Sequence, residues 1–284
     1  MNYEMLVLDL DDTLLRDDLT ISPITKKSIL MAQMCGMKVV IATGRPTYAC
    51  YSIAKEISLD SFGGYIISFN GATITEVSTG NVLRNVSISK EDVHHLYRLS
   101  SEHNAYIQTY IGDNIITPQN NEYTEIEKNL TGMDIIEVAD FVDYVDKDVI
   151  KAIILQEPKY LKNLSRKIEP YIPSSLNMTF SKPFFLEFMN VSVDKAISVS
   201  YLADSLGINM NSIIAIGDSY NDISMIKSAG LGVAMGNSVK AIKKSANYVT
   251  KTNMEDGIAE VISKFVLNEN IIADPRIIFN PVSA

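Results

Sequence analysis

The sequence predicts an α/β protein whose parallel sheet is covered by helices and interrupted by a separate α+β insert. Three observations carry this. Short runs of Val, Ile and Leu recur without polar alternation, as in strands buried on both faces. Helical stretches separate them in a βαβ order. The middle third of the chain then changes to closely spaced strand pairs between helices, a pattern that suits antiparallel pairing.

Five runs mark the parallel strands: MLVLDLD from Met5, KVVIATG from Lys38, YIISFNG from Tyr65, SIIAIGD from Ser212 and LGVAMGN from Leu231. Between the first two lies SPITKKSILMAQMCG, where Ser22 is placed as an N-cap, Pro23 at the first helical position and Gly36 just past the end. In the middle third the order reads as a helix (KEDVHHLYRLSSEH), two strands (AYIQTY and NIITP), a helix (NNEYTEIEKNL), a strand, the strand VIKAIILQE, a helix, and the strand pair LNMTFSK and FFLEFMN. The expected organisation is a discontinuous, Rossmann-like core over residues 1–86 and 189–284, with an inserted α+β cap over 87–188. In such sheets ligands bind beyond the carboxyl ends of the strands. Here those ends carry Asp9, Thr43, Asn70, Asp218 and Asn237.

Composition narrows the function. A net charge of −9 argues against a nucleic-acid partner, which would need a basic face. No apolar run approaches the roughly 18 to 20 residues of a membrane span, and the N-terminus lacks a signal pattern, so the expectation is a cytoplasmic protein with no membrane partner. Cys35 and Cys50 fall in helix-like stretches and read as reduced packing thiols. His94, His95 and His103 fall in one helix without ligand-spaced partners, so they read as a helix face rather than a zinc site.

The run that ends in Asp9, Asp11 and Asp12 raises the chemical question. On a strand, residues two apart share a side, so Asp9 and Asp11 are expected to aim into the crevice together. Adjacent like charges need a cation or a shared proton. Mg²⁺, which takes oxygen ligands and is commonly shared with substrate phosphate, would relieve them, with a third ligand in GDSYND, where Gly217 permits a turn before Asp218 and Asp222. Each Asp or Asn alone reads as a turn or cap residue; their gathering at one end of several strands does not.

These motifs resemble the haloacid dehalogenase-like hydrolases, and within them the Cof-type phosphatases with a large α+β cap. The likeness is carried by DLDDTL at Asp9 to Leu14, ATGR at Ala42 to Arg45, FNGA at Phe69 to Ala72, Lys195, GDSYNDISMI from Gly217 and VAMGNS from Val233. It implies a phosphoryl-transfer enzyme that works through an aspartyl-phosphate on a small phosphorylated metabolite. Asp9 would be the nucleophile, and Asp11 the acid that protonates the leaving oxygen and later the base that activates water. Asp11's acid role would rest on the raised pKa of the second member of a close carboxylate pair. Mg²⁺ would sit on Asp9, Asp218 and the Asp11 carbonyl, with Asn221 and Asp222 in support. Thr43, Gly44 and Lys195 would bind phosphate, with Lys182 in reserve, because Lys195 lacks the family's commoner Ser and Gly neighbours. Asp12, where glycine is commoner, would be a turn residue. Arg45, Asn70 and Asn237 would position substrate or loops, or serve as turn residues. Tyr106, Tyr110 and Tyr123 of the cap read as packing, although the cap would also have to read the leaving group. A phosphomutase shares this site; a dehalogenase would not need Asp11, and a phospho-Asp signalling module would lack the cap.

Overall fold

The computed structural model describes residues 3–267; the C-terminal stretch NENIIADPRIIFNPVSA, whose role the sequence leaves open, lies outside them. In chain order the strands are β1 (Met5–Leu8), β2 (Lys38–Ala42), β3 (Tyr65–Ser68), β4 (Thr73–Glu76) and β5 (Val82–Asn85). They continue with β6 (Tyr106–Ile111), β7 (Asn114–Thr117), β8 (Asp134–Glu137), β9 (Ala152–Leu155), β10 (Leu176–Lys182) and β11 (Phe185–Asn190). After these come β12 (Ile213–Gly217), β13 (Leu231–Ala234) and β14 (Tyr248–Val249).

The described residues divide into two compact units, one of 3–44, 50–83 and 194–267, the other of 45–49 and 84–193. The sequence places 45–49, 84–86 and 189–193 in the core; the structure groups all three with the second unit.

In the first unit, among the described residues, eight strands form one sheet in the order β14-β13-β12-β1-β2-β3-β4-β5. The central strands pair in parallel, with Leu8 beside both Ile216 and Ile41. Burial on both faces explains the unbroken apolar runs: alternate residues of one strand feed different cores, Leu6 and Leu8 one cluster, Met5 and Val7 the other. The β3–β4 hairpin is antiparallel and was not read from the sequence. The first helix, Pro23–Met34, has the expected ends: the Ser22 hydroxyl accepts from the Thr25 N–H, and Gly36 takes a left-handed φ of 89°. Cys50 is buried in this unit, whereas Cys35 is exposed at the helix end rather than packed.

The second unit has a six-stranded sheet in the order β10-β11-β9-β6-β7-β8. Its pairing is mixed rather than wholly antiparallel, because the helix Glu122–Thr131 carries the chain over so that β8 runs parallel to β7. Helices Lys90–Glu102 and Pro158–Ile168 cover one face through Val93, Leu96, Leu161 and Leu164. His94 and His95 bond the carbonyls of Val145 and Tyr171, in keeping with a structural role. The other face buries polar groups among apolar ones such as Ile153 and Phe185: Lys151 donates to Glu187 at 3.0 Å, and the Tyr110 hydroxyl donates to Glu127. Burial, followed by the carboxylates of Glu127 and Glu187, pushes the Tyr110 phenol well above its ordinary pKa, so it stays a neutral donor. Tyr123 stacks on Phe184 at 5.7 Å between ring centres.

Removing one partner of a buried ion pair strands the other charge. Lys151→Met is therefore expected to lower unfolding free energy by about 3–5 kcal/mol in urea titrations. Lys151→Met combined with Glu187→Leu should recover most of that loss.

Candidate active site

The nucleophile candidate stands at the end of a strand, and a wide turn follows it. β1 ends at Leu8, and the Asp9 N–H continues the ladder by donating to the Ile216 carbonyl at 2.9 Å. The chain then enters a wide turn over Leu10–Leu14, closed by the Leu15 N–H on the Leu10 carbonyl at 2.8 Å. Leu10, Leu14 and Leu15 anchor it in the core. Inside the turn Asp11 is extended and Asp12 left-handed, with φ 57°. Asp9 is buried, whereas Asp11 and Asp12 are exposed. The expectation that both acids stand on the strand is therefore corrected, although Leu10 keeps the core side of Leu6 and Leu8. Burial first, then the carboxylates of Asp222 and Asp218 from the loop after β12, raise the Asp9 pKa against the pull of Lys195.

Lys195 is the centre of this cluster. It opens the helix Lys195–Leu206, whose N-cap Asp194 accepts from the N–H groups of Ala196 and Ile197. Its side chain is fully buried, and the ammonium donates at 2.6 Å to Asp9 Oδ1 and at 2.6 Å to Asp222 Oδ1. Burial disfavours this charge, but Asp9 and Asp222 outweigh that and hold the lysine above its ordinary pKa. Lys195 is thus the cation paired with the candidate nucleophile. Lys182, the reserve candidate, is exposed on β10 of the second unit.

Asp222 has little capacity left. Its Oδ2 accepts from the N–H groups of Asp218 and Ser219 at 3.0 and 2.9 Å, while Oδ1 takes Lys195. This packing also explains Gly217: a Cβ there would lie 2.5 Å from the Asp222 Cγ. The glycine is required by close approach rather than by a left-handed turn, since its φ is not positive.

Asp218 accepts from the Thr13 hydroxyl at 2.8 Å. Burial, against the Thr13 bond and with help from Asp222, pushes its carboxyl up to about 6. Carboxylate oxygens of Asp9, Asp218 and Asp222 lie within 4.8 Å of one another. One ammonium faces three carboxylates, all donors are hard oxygens, and the two acids apart from Asp222 are both held above their ordinary range. These residues fit a divalent cation such as Mg²⁺.

The other strand ends converge on the same region. Thr43 is buried, its N–H on the Ile67 carbonyl at 2.8 Å and its carbonyl accepting from the Asn70 N–H at 2.9 Å. Gly44 lets Asn70 approach, since a Cβ would stand 3.2 Å from its Oδ1. That oxygen accepts from the Asn221 amide at 2.9 Å, which joins the loops after β3 and β12. Gly71, at φ 108°, leaves room for the carbonyl of Asp194, which a Cβ would meet at 2.5 Å. Thr13 and Asn253 enter the site's hydrogen-bond network without having been assigned a role from the sequence. Thr13 stood in plain view within DLDDTL; Asn253 carries no sequence signal. Arg45 belongs to the second unit.

Comparison with known proteins agrees with this arrangement. Residues 6–262 match the family of haloacid dehalogenase-like hydrolases. The 5-amino-6-(5-phospho-D-ribitylamino)uracil phosphatase YcsE of Bacillus subtilis is 32% identical, over 94% of this chain and 97% of its own. A haloacid dehalogenase-like hydrolase from Bacteroides thetaiotaomicron superposes with a TM-score of 0.88 at 37% identity, covering 92% of this chain and 99% of its own. A subclass IIB sugar phosphatase of the same superfamily does so with a TM-score of 0.77 at 26% identity, covering 92% and 98%. The family's motifs meet around one buried lysine and its carboxylates, and the match runs through both units: the chain belongs to the haloacid dehalogenase-like hydrolases, in their Cof-type phosphatase branch.

Proposed function

We propose that this protein is a Mg²⁺-dependent phosphatase of small phosphorylated metabolites, acting through an aspartyl-phosphate on Asp9. The observation that carries the reading is the buried Asp9 carboxylate, pinned through one oxygen by Lys195 beside a cluster with excess negative charge. With Oδ1 held, Oδ2 is presented to phosphorus. A bond forms from Asp9 to phosphorus as the bond to the leaving oxygen breaks, and Asp11 gives that oxygen its proton. Asp11, now ionised, takes a proton from water as the water attacks the same phosphorus. Asp9 is released as a carboxylate with inorganic phosphate.

Thr43 and the backbone at Gly44 would hydrogen-bond the phosphoryl oxygens, and Lys195 would offset their charge. Exposure suits Asp11 to exchange protons with leaving group and water, while burial keeps Asp9 free of competing solvent. Asp9, Asp218 and the Asp11 carbonyl would hold the cation, which when bound supplies neutralisation of the phosphate dianion. Asp222 would act indirectly, by holding Lys195 and the loop of Asp218. The relatives' named activities, on a phosphoribitylamino-uracil and on sugar phosphates, support a polyhydroxylated monoester as substrate. Arg45, Asn70 and Lys182 are the residues we assign to substrate or loop positioning.

Phosphate release from a panel of sugar phosphates should require Mg²⁺, fall to background in Asp9→Asn, and drop by roughly 10²–10⁴-fold in Asp11→Asn. Release that persists in Asp9→Asn would overturn the aspartyl-phosphate.

Lys195→Met leaves two buried carboxylates without their cation, at a cost of about 3–5 kcal/mol in unfolding free energy, read by urea titration. Activity should vanish with it.

The raised pKa of Asp218 gives two linked signs. In the metal-free protein, protonation favours the folded state, so this group adds stability as pH falls from about 6 towards 3.8 and withdraws it on the way back. Protons and Mg²⁺ compete for the same carboxylate, so Mg²⁺ affinity measured by calorimetry should weaken as pH drops below about 6.

A further inference from the structure

The turn that follows the candidate nucleophile is held from outside by a pair of asparagines. Asn237, in the loop after β13, donates through Nδ2 to the carbonyl of Asp12 at 2.7 Å. Its Oδ1 accepts from the Asn253 N–H at 3.2 Å, which fixes the amide so that the donor faces Asp12. The Asn253 side chain, buried, donates in turn to the Leu15 carbonyl and to Asp17 Oδ1, both at 3.1 Å. Arg16 reaches back to the Met254 carbonyl at 3.0 Å. Residues 12–17 are therefore strapped to residues 237–254 at four points.

The first of these points bears on chemistry. Asp12 has φ 57°, a left-handed conformation that is strained for most side-chain-bearing residues and less so for Asp, so an added hydrogen bond helps to hold it. It lies between Asp11, the proposed acid, and Thr13, which bonds Asp218. The bonded carbonyl belongs to the peptide between Asp12 and Thr13, so its release frees rotation about Asp12, which shifts Asp11 on one side and Thr13 on the other. We infer that Asn237 is a positioning residue for proton transfer: its hydrogen bond holds Asp12 left-handed and thereby sets the direction of Asp11 towards the leaving oxygen. This rests on the reading of Asp11 as the general acid.

The test compares an alkyl phosphate with 4-nitrophenyl phosphate, whose leaving group departs without a proton. Values of kcat/KM are used because they stop at release of the leaving group, before hydrolysis of the aspartyl-phosphate. Asn237→Ala should lose roughly tenfold on the alkyl ester, the value of one lost hydrogen bond, and no more than about threefold on the aryl ester. Asn237→Asp, which keeps the acceptor for Asn253 but turns a carboxylate on the Asp12 carbonyl, should lose more on the alkyl ester. Asp12→Gly placed in the Asn237→Ala background should recover most of the alkyl activity, because glycine takes the left-handed φ unaided.

Equal losses on both esters, no loss on either, or failure of Asp12→Gly to rescue would overturn the inference. Asp11→Asn separates this from the underlying reading. If it shows the same preference for the aryl ester, the acid assignment holds and the Asn237 result is decisive; if it does not, the acid assignment falls and the positioning role falls with it.

Discussion

A buried ammonium between two carboxylates is the constraint on which the first unit depends. Taking Lys195 out of water costs several kcal/mol unless its partners are close and well aligned. Those partners come from far apart in the chain: Asp9 after β1 and Asp222 after β12, with the lysine itself on the helix that follows the insert. The ion pairs therefore require that the strand ends meet. Apolar burial supplies the gross stability of the sheet, but it is indifferent to which polar group stands at which strand end. The lysine is not.

From Lys195 the order propagates through single hydrogen bonds. Asp222 passes it to the backbone of Asp218 and Ser219, Asp218 to Thr13, and the turn of Thr13 to Asn237 and Asn253. Glycines stand where this network needs the backbone close, Gly217 under Asp222 and Gly71 against Asp194. The same principle appears separately in the second unit, where Lys151 and Glu187 satisfy each other on a buried sheet face. In both places a charge is tolerated inside the fold because another charge is fixed beside it.

Much of the fold was legible because it rests on periodicity. The unbroken apolar runs of β1, β2, β3, β12 and β13 reflect burial on both faces, and the Ser22, Pro23 and Gly36 signals are local to the helix they bound. Pairing was less legible. Nothing in the residues of β7 and β8 says that they run parallel, since that follows from the helix between them, and the short β3–β4 hairpin has a pattern too brief to stand out. In the site, motif positions placed Asp9, Thr43, Lys195, Asp218 and Asp222 around one region. The residues did not say that β1 stops at Leu8 and a wide turn takes over, although Leu10 keeps the core side of Leu6 and Leu8.

The sequence by itself determined the α/β class, the presence of an insert, the family and the set of acids, hydroxyls and one lysine at the strand ends. These follow from local periodicity and from residue types at fixed spacing. The tertiary structure decided which acid is buried, which is exposed, and which partner each one takes. Asp222 became the holder of Lys195, and Asp9 joined Asp218 and Asp222 in one cluster of carboxylates. Such choices depend on distances between segments some 200 residues apart, as between Thr13 and Asp218. Electrostatic coupling and desolvation act through space, and spacing along the chain does not encode them.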